Sequence, residues 1–131
     1  MAVELLPIPV PFNDDSVKVV SVRWSGSQAT IIELVSKRSG EKVQVEFKSN
    51  SGLRILDELD LAGMWIGTER SALAVTWLFE VRVGGWFELE SIRQDFYMKH
   101  GVPKREFLVE GCQDCVSIIS DHEPIVRPCP R

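Results

Sequence analysis

Apolar and polar residues alternate along several short stretches of the chain, which is the pattern of β-strands buried on one face. The clearest stretch is 42–48, where Val43, Val45 and Phe47 share one face while charged or polar residues share the other. Comparable stretches predict further strands at 20–24, 29–37, 75–83, 105–110 and 115–120. Because a strand with one polar face belongs to an antiparallel sheet, the first three strands predict a meander.

Two consecutive glycines, Gly84 and Gly85, follow the fourth predicted strand and precede the aromatic and acidic residues 86–90. Such a pair permits positive φ angles or a close backbone approach. A hairpin or bulge is therefore predicted here, with residues 86–90 pairing back onto the preceding strand.

Residues 53–61 follow a different period, because Leu56, Leu59 and Met64 are spaced for one face of a helix and acidic residues lie near its start. One or two helical turns are predicted there. Residues 91–101 fit either a short helix or an irregular segment. At the two ends, prolines predict an arm over 1–15 and a tail over 124–131 that does not continue the sheet.

About seven short strands with little helix predict a single domain over residues 1–131. Its class is α+β, mainly antiparallel β, as a strongly curved sheet or partly open barrel with one or two short helices. Trp24 is expected to be buried and Trp86 partly exposed, from the strand faces on which they fall. The expected core residues are Val45, Phe47, Trp77, Phe79, Val81, Phe107, Val109 and Ile118.

The balance of acidic and basic residues indicates which kinds of molecule the protein could bind. Fifteen Lys and Arg against nineteen Asp and Glu give a net charge of −4, which argues against direct nucleic-acid binding and suits a basic partner. Prolines interrupt residues 3–12, so neither a signal peptide nor a membrane contact is expected. The three cysteines are too few for a secreted disulfide framework. A cytoplasmic protein, monomeric or weakly dimeric, is predicted.

One cysteine spacing has chemical precedent. Cys112 and Cys115, together with His122 and Cys129, could form a zinc site with three cysteine ligands and one histidine ligand. Residues three apart in a strand point to opposite faces, so ordinary cysteines at a strand end are the favoured interpretation. The interpretation as a redox dithiol is weaker still. Such a motif needs a helix after its cysteines, whereas residues 116–119 are predicted to continue as a strand. No metal or cofactor is predicted.

Two groups of carboxylates invite a catalytic interpretation, one at 57–60 and one at 88–90. They could serve in acid–base chemistry, bind a hard cation, lie as solvated surface residues, or form a docking surface beside Trp65 and Trp86. His100 and His122 lie beside turn residues and are interpreted as surface histidines. No catalytic residue is assigned, and the chain is predicted not to be an enzyme.

Several segments together resemble the small bacterial immunity-type proteins that accompany polymorphic toxins and contact-dependent growth inhibition systems. The segments are the strand ending at Phe47, residues 53–61 running to Trp65, and residues 84–90, 105–111 and 114–117. The resemblance implies a protein that binds and neutralises a cognate toxin domain in the same cell. Because such toxins are often nucleases with basic substrate sites, an acidic inhibitor can occlude the site by imitating phosphate.

The predicted toxin-binding surface combines an aromatic anchor with carboxylates that meet basic side chains. Its residues are Asp57, Glu58, Asp60, Trp86, Glu88 and Glu90. Two alternatives stay open. One is a small-ligand-binding or enzymatic β-barrel in which Glu88, Glu90 or His100 contacts the ligand, and the other is a zinc-stabilised interaction module built on Cys112 and Cys115.

Overall fold

The computed structural model describes residues 4–12, 17–26, 29–57, 76–92 and 104–129. Within these residues the chain forms nine strands and one short helix. In chain order they are β1 (Glu4–Pro7), β2 (Val17–Arg23), β3 (Thr30–Ser36), β4 (Lys42–Phe47), β5 (Gly52–Asp57), β6 (Leu78–Val83), α1 (Trp86–Glu90), β7 (Arg105–Glu110), β8 (Asp114–Ser120) and β9 (Ile125–Pro128). Every strand pairing is antiparallel, which confirms the predicted class.

The strands form two sheets rather than one. A five-stranded sheet has the order β1-β6-β7-β8-β5, and a four-stranded sheet has the order β2-β3-β4-β9, in which the predicted meander is confirmed. Their facing sides share one apolar cluster, in which Phe47 of β4 and Phe107 of β7 lie with ring centroids 5.5 Å apart. The sheets do not close into a barrel, because two apolar faces bury each other equally well by stacking.

All eight predicted core residues are buried. The five-stranded sheet also has a second cluster on its other face, formed by Leu5, Phe79, Val81, Leu108 and Cys115. Strands β6, β7 and β8 thus bury apolar side chains on both sides, which explains why consecutive apolar residues such as 107–109 of β7 are all buried. No helix in the described ranges is long and apolar enough to cross a membrane.

The helix predicted over 53–61 is wrong for its first half, because residues 52–57 form β5 and pair with β8. Leu53 packs against the cluster between the sheets, while Leu56 packs against the cluster on the opposite face. A strand with apolar residues on both faces can imitate helical spacing over so short a window. Residues 58–61 lie outside the described ranges.

Trp24 is not buried, contrary to expectation, and is 60% exposed. The pairing of β2 with β3 shifts register between Val19 and Ser21, so Val20 becomes the extra residue of a bulge and faces solvent. Val22 returns to the core side, but β2 ends at Arg23 and Trp24 lies beyond the sheet. The alternation was therefore correct only on each side of the bulge.

The tail prediction is also wrong, since β9 pairs with β4 through residues 125–128. Proline cannot donate to a ladder but is tolerated on an edge strand, and Pro128 ends β9 at the edge of its sheet. The proline-spaced arm similarly contributes β1, which ends at Pro7 and pairs with β6. Proline-containing segments thus form one edge of each sheet.

Candidate functional site

A five-residue helix, α1, stands where a returning strand was expected. Gly84 has a φ of 78°, a value that favours glycine, and redirects the chain after β6. The Glu88 carboxylate then accepts a hydrogen bond at 3.2 Å from the N–H of Gly84, the residue before the N-cap Gly85. Both features stabilise a helix start at Trp86, so the predicted pairing of 86–90 with β6 is wrong.

The indole of Trp86 fixes α1 against the five-stranded sheet. A β-carbon placed on Gly52 would lie 3.1 Å from Trp86 Cη2 and 3.2 Å from Ile119 Cδ1, so the indole packs over β5 and β8 where glycine leaves room. The Arg54 guanidinium lies 5.0 Å from the centroid of the Trp86 ring, within the range of a cation–π contact. Trp86 is half-buried, and its first role is to hold the helix.

Glu106 of β7 supplies a buried carboxylate beneath the start of α1. It is 4% exposed, and its Oε1 accepts a hydrogen bond from the Phe87 N–H at 2.7 Å. This bond satisfies a helix N–H that has no partner within the helix. Its Oε2 is also buried and has no hydrogen-bond partner within the described part of the chain. Burial is the main reason that the pKa of Glu106 lies above its ordinary value, although the Phe87 and Trp86 N–H groups act in the opposite direction.

Glu80 and Arg105 form a second charged group at the end of the sandwich. The guanidinium donates two hydrogen bonds to the Glu80 carboxylate, at 2.8 Å from Nε and 2.7 Å from Nη2, and a third to Glu123 at 3.1 Å. Arg82 adds an ion pair to Glu80 at 3.4 Å. The bidentate bond to Arg105 lowers the pKa of Glu80 and raises the pKa of Arg105.

A cavity of about 350 Å³ opens where α1 meets the ends of β6 and β7. Glu80, Glu88 and Glu106 contribute its carboxylates, and the Phe87 side of α1 forms another wall. Its remaining lining includes Gly85, Ser91, Arg82, Lys104 and Arg105. The volume of this cavity and the polar groups that converge on it suit a small ligand or a side chain of another protein.

The predicted binding residues divide into two groups. Trp86, Glu88 and Glu90 lie on α1 and are brought together by it. Asp57 ends β5 opposite Asp114 of β8, and Glu58 and Asp60 lie outside the described ranges. The helix also leads into an exposed apolar surface, because Leu89 is 50% exposed and Ile92 is 74% exposed.

A cluster of Ser49, Asp121 and His122 was missed by sequence reasoning, since Ser49 is 72 positions from Asp121. Ser49 Oγ donates to Asp121 Oδ1, and His122 Nδ1 lies 2.9 Å from the same oxygen and 3.3 Å from Ser49 Oγ. A catalytic triad places the acid and the serine on different ring nitrogens of the histidine. Here both lie at Nδ1, so the arrangement does not activate Ser49.

The cysteines of the alternative zinc site occupy three settings. Cys115 is buried in β8 on the outer side of the five-stranded sheet, Cys112 donates its N–H to the Val17 carbonyl, and Cys129 follows β9. Within the described ranges, no group of three or more His, Cys, Asp or Glu side chains could hold a metal ion. His100, the other histidine considered, lies outside those ranges.

Comparison of the chain with protein-family models, with curated proteins and with solved structures found no match.

The two buried glutamates are predicted to respond to pH in opposite directions. Glu106 has a raised folded pKa, so its contribution to stability is full below the ordinary value of 4.5 and is lost as the pH rises through the folded pKa. Glu80 has a lowered folded pKa, so its contribution is present above 4.5 and is lost as the pH falls.

Urea unfolding between pH 3 and pH 7 measures both effects. The quantity to compare is the free energy of unfolding of each variant minus that of the wild type. For Glu106→Gln this difference should increase as the pH rises, and for Glu80→Gln it should decrease. A constant contribution from the amide does not change either trend. Equal trends in the two variants would contradict the assigned environments.

Proposed function

We propose that this protein is an immunity protein that binds and neutralises a cognate toxin domain. The acidic and apolar surface around α1 contacts the toxin. The observation that carries the proposal is the composition of that surface. Exposed Glu88 and Leu89 lie on a helix fixed by Trp86 and Arg54, and exposed Ile92 follows the end of that helix. Interfaces combine apolar anchors with charges that complement the partner, and a pre-fixed helix loses little entropy on binding.

Charge supports a basic partner. The chain carries a net charge of −4, and Glu88 has no ion-pair partner within the described ranges. A nuclease toxin concentrates positive charge where it holds phosphates, so a carboxylate surface is attracted to that site and occludes it. On this proposal the protein acts in the cytoplasm by one-to-one binding, without a cofactor and without catalysis.

The cavity beside Glu106 favours a second candidate function, the binding of a small ligand with or without chemistry on it. Its volume of about 350 Å³ and its carboxylates fit that role. The ligand site of this alternative would therefore lie at the end of two stacked sheets and not inside a barrel. The same kinds of side chain would contact the ligand. A small molecule that raises the melting temperature without any protein partner would favour it.

The immunity proposal is tested with the carboxy-terminal domain of the protein that the gene immediately upstream encodes. Glu88→Lys with Glu90→Lys is one variant, and Asp57→Lys with Glu58→Lys and Asp60→Lys is another. Reversal at an interface should slow association and weaken affinity by about tenfold or more. The measurements are association kinetics at two salt concentrations and the survival of cells that express the toxin.

Glu41→Lys serves as the control, because Glu41 is exposed in the turn between β3 and β4, away from α1. Circular dichroism confirms that each variant folds. Unchanged affinity and full protection in both folded test variants would place the interface elsewhere, with Glu110 and Asp114 as the next residues to reverse. Failure of the wild-type protein to bind the domain would refute the immunity function itself.

A further inference from the structure

Three carboxylates and three cations line the cavity beneath α1, but they do not all pair with one another. Its three cations each have a carboxylate partner: Arg82 pairs with Glu80, Arg105 with Glu80 and Glu123, and Lys104 with Asp121 at 3.9 Å. Three carboxylates are therefore engaged by three cations. Glu88 and Glu106 remain without an ion pair in the described part of the chain, and the Glu88 charge contributes to the raised pKa of Glu106.

Glu106 is the group that indicates a ligand. A carboxylate that is 4% exposed normally has both oxygens bonded. Here Oε1 accepts from the Phe87 N–H, whereas Oε2 has no hydrogen-bond partner among the described residues. Arg54 attracts Glu106 electrostatically, but it packs on Trp86, forms no ion pair with Glu106 among the described residues, and does not line the cavity. Glu106 thus lines the cavity and carries a carboxylate oxygen that is covered and has no hydrogen-bond partner among the described residues.

We propose that this cavity receives an arginine side chain of the basic partner. Because Oε2 is covered in the free protein, the Glu106 side chain would turn toward the cavity, and the guanidinium would then donate to Oε2, share its charge with Glu88, and lie against Phe87. Arginine fits better than lysine because its planar fork bonds carboxylates in pairs, is weakly hydrated and stacks on aromatic rings. The inference rests on the proposed function, since it names how a basic toxin would be held.

The test uses acetyl-arginine amide as the probe, with the neutral acetyl-citrulline amide of the same shape and acetyl-lysine amide as comparisons. The backbone amide of Phe87 is the reporter, because its N–H bonds Glu106 directly. NMR titration of the full chain should show saturable shifts at Phe87 and Gly85 with arginine. A single side chain is expected to bind with a dissociation constant on the order of millimolar, and citrulline should bind at least about tenfold more weakly.

Two variants test the carboxylates separately. Glu106→Gln should weaken arginine binding by at least about tenfold, and Glu88→Gln, on the exposed side of α1, by a few-fold. Glu41→Gln should bind like the wild type. Glu88→Gln and the citrulline probe keep the test decisive even if Glu106→Gln fails to fold.

Equal shifts from arginine and citrulline, or from arginine and lysine, would overturn the proposal. So would wild-type affinity in folded Glu106→Gln. If the toxin domain binds while the arginine probe does not, this inference alone fails. If the probe binds and the toxin domain does not, the cavity assignment stands and the immunity function fails.

Discussion

Phe107→Ala is expected to lower the free energy of unfolding by about 3 to 5 kcal/mol. Phe107 is fully buried in the centre of the five-stranded sheet, and its ring meets Phe47 of the other sheet at a centroid distance of 5.5 Å. Removing the ring takes away apolar contact from both sheets at once and leaves a cavity that two stacked sheets cannot readily close. A loss of this size is a large fraction of the stability of a domain of this length.

Chemical denaturation followed by tryptophan fluorescence measures the loss. Trp24→Ala is the matched control, because it removes a larger aromatic side chain that is 60% exposed, and it should cost less than about 1 kcal/mol. A small loss for Phe107→Ala, or similar losses for the two variants, would contradict the sandwich core described above.

Gly85→Ala should displace α1. A β-carbon at this position would lie 2.5 Å from Val81 Cγ1 and 2.6 Å from Glu106 Oε1, both too close for a carbon contact. The backbone of Gly85 is extended, with a φ of −95°, so the effect comes from crowding and not from backbone strain. Relief requires α1 to move away from β7, which breaks the 2.7 Å bond from the Phe87 N–H to Glu106.

The expected result is a stability loss of about 1 to 3 kcal/mol. On the proposed immunity function, binding of the toxin domain should weaken as well. Gly40→Ala separates the two effects. Gly40 has a φ of 75° with open space around its α-carbon, so alanine there costs about 1 kcal/mol through backbone strain and leaves α1 in place. Toxin affinity and the Phe87 amide shift should change only in Gly85→Ala. If Gly85→Ala binds the toxin domain with wild-type affinity, α1 takes no part in binding.

The core was predictable because its signal is local. In β4 the alternation of Val43, Val45 and Phe47 with polar residues has the period of a strand, and all three are buried. The period gives no warning where one extra residue enters a strand, as at Val20, or where a strand ends. Val22 faces the core as predicted, but Trp24 lies beyond the end of β2 and is exposed.

The site was less predictable, because its properties come from contacts between distant parts of the chain. In sequence, Glu106 is an acid between Arg105 and Phe107 and resembles any residue on a solvated strand face. It is buried only because α1 packs over it, and α1 is too short to show a helical period. The three acids at 57, 58 and 60 and those at 88 and 90 were grouped by composition alone, which reports charge but not position.

The order of strands in the two sheets also sets how fast the molecule can assemble. Arg127 of β9 bonds Glu46 of β4 across 81 positions of chain, and Thr76 bonds the Ile8 carbonyl across 68. Each such pairing closes a long loop before it gains any stabilising contact, so topologies of this kind fold on the order of milliseconds to seconds. On the proposed immunity function, a newly synthesised copy would reach its binding form only after this delay, and copies folded earlier would hold the toxin meanwhile.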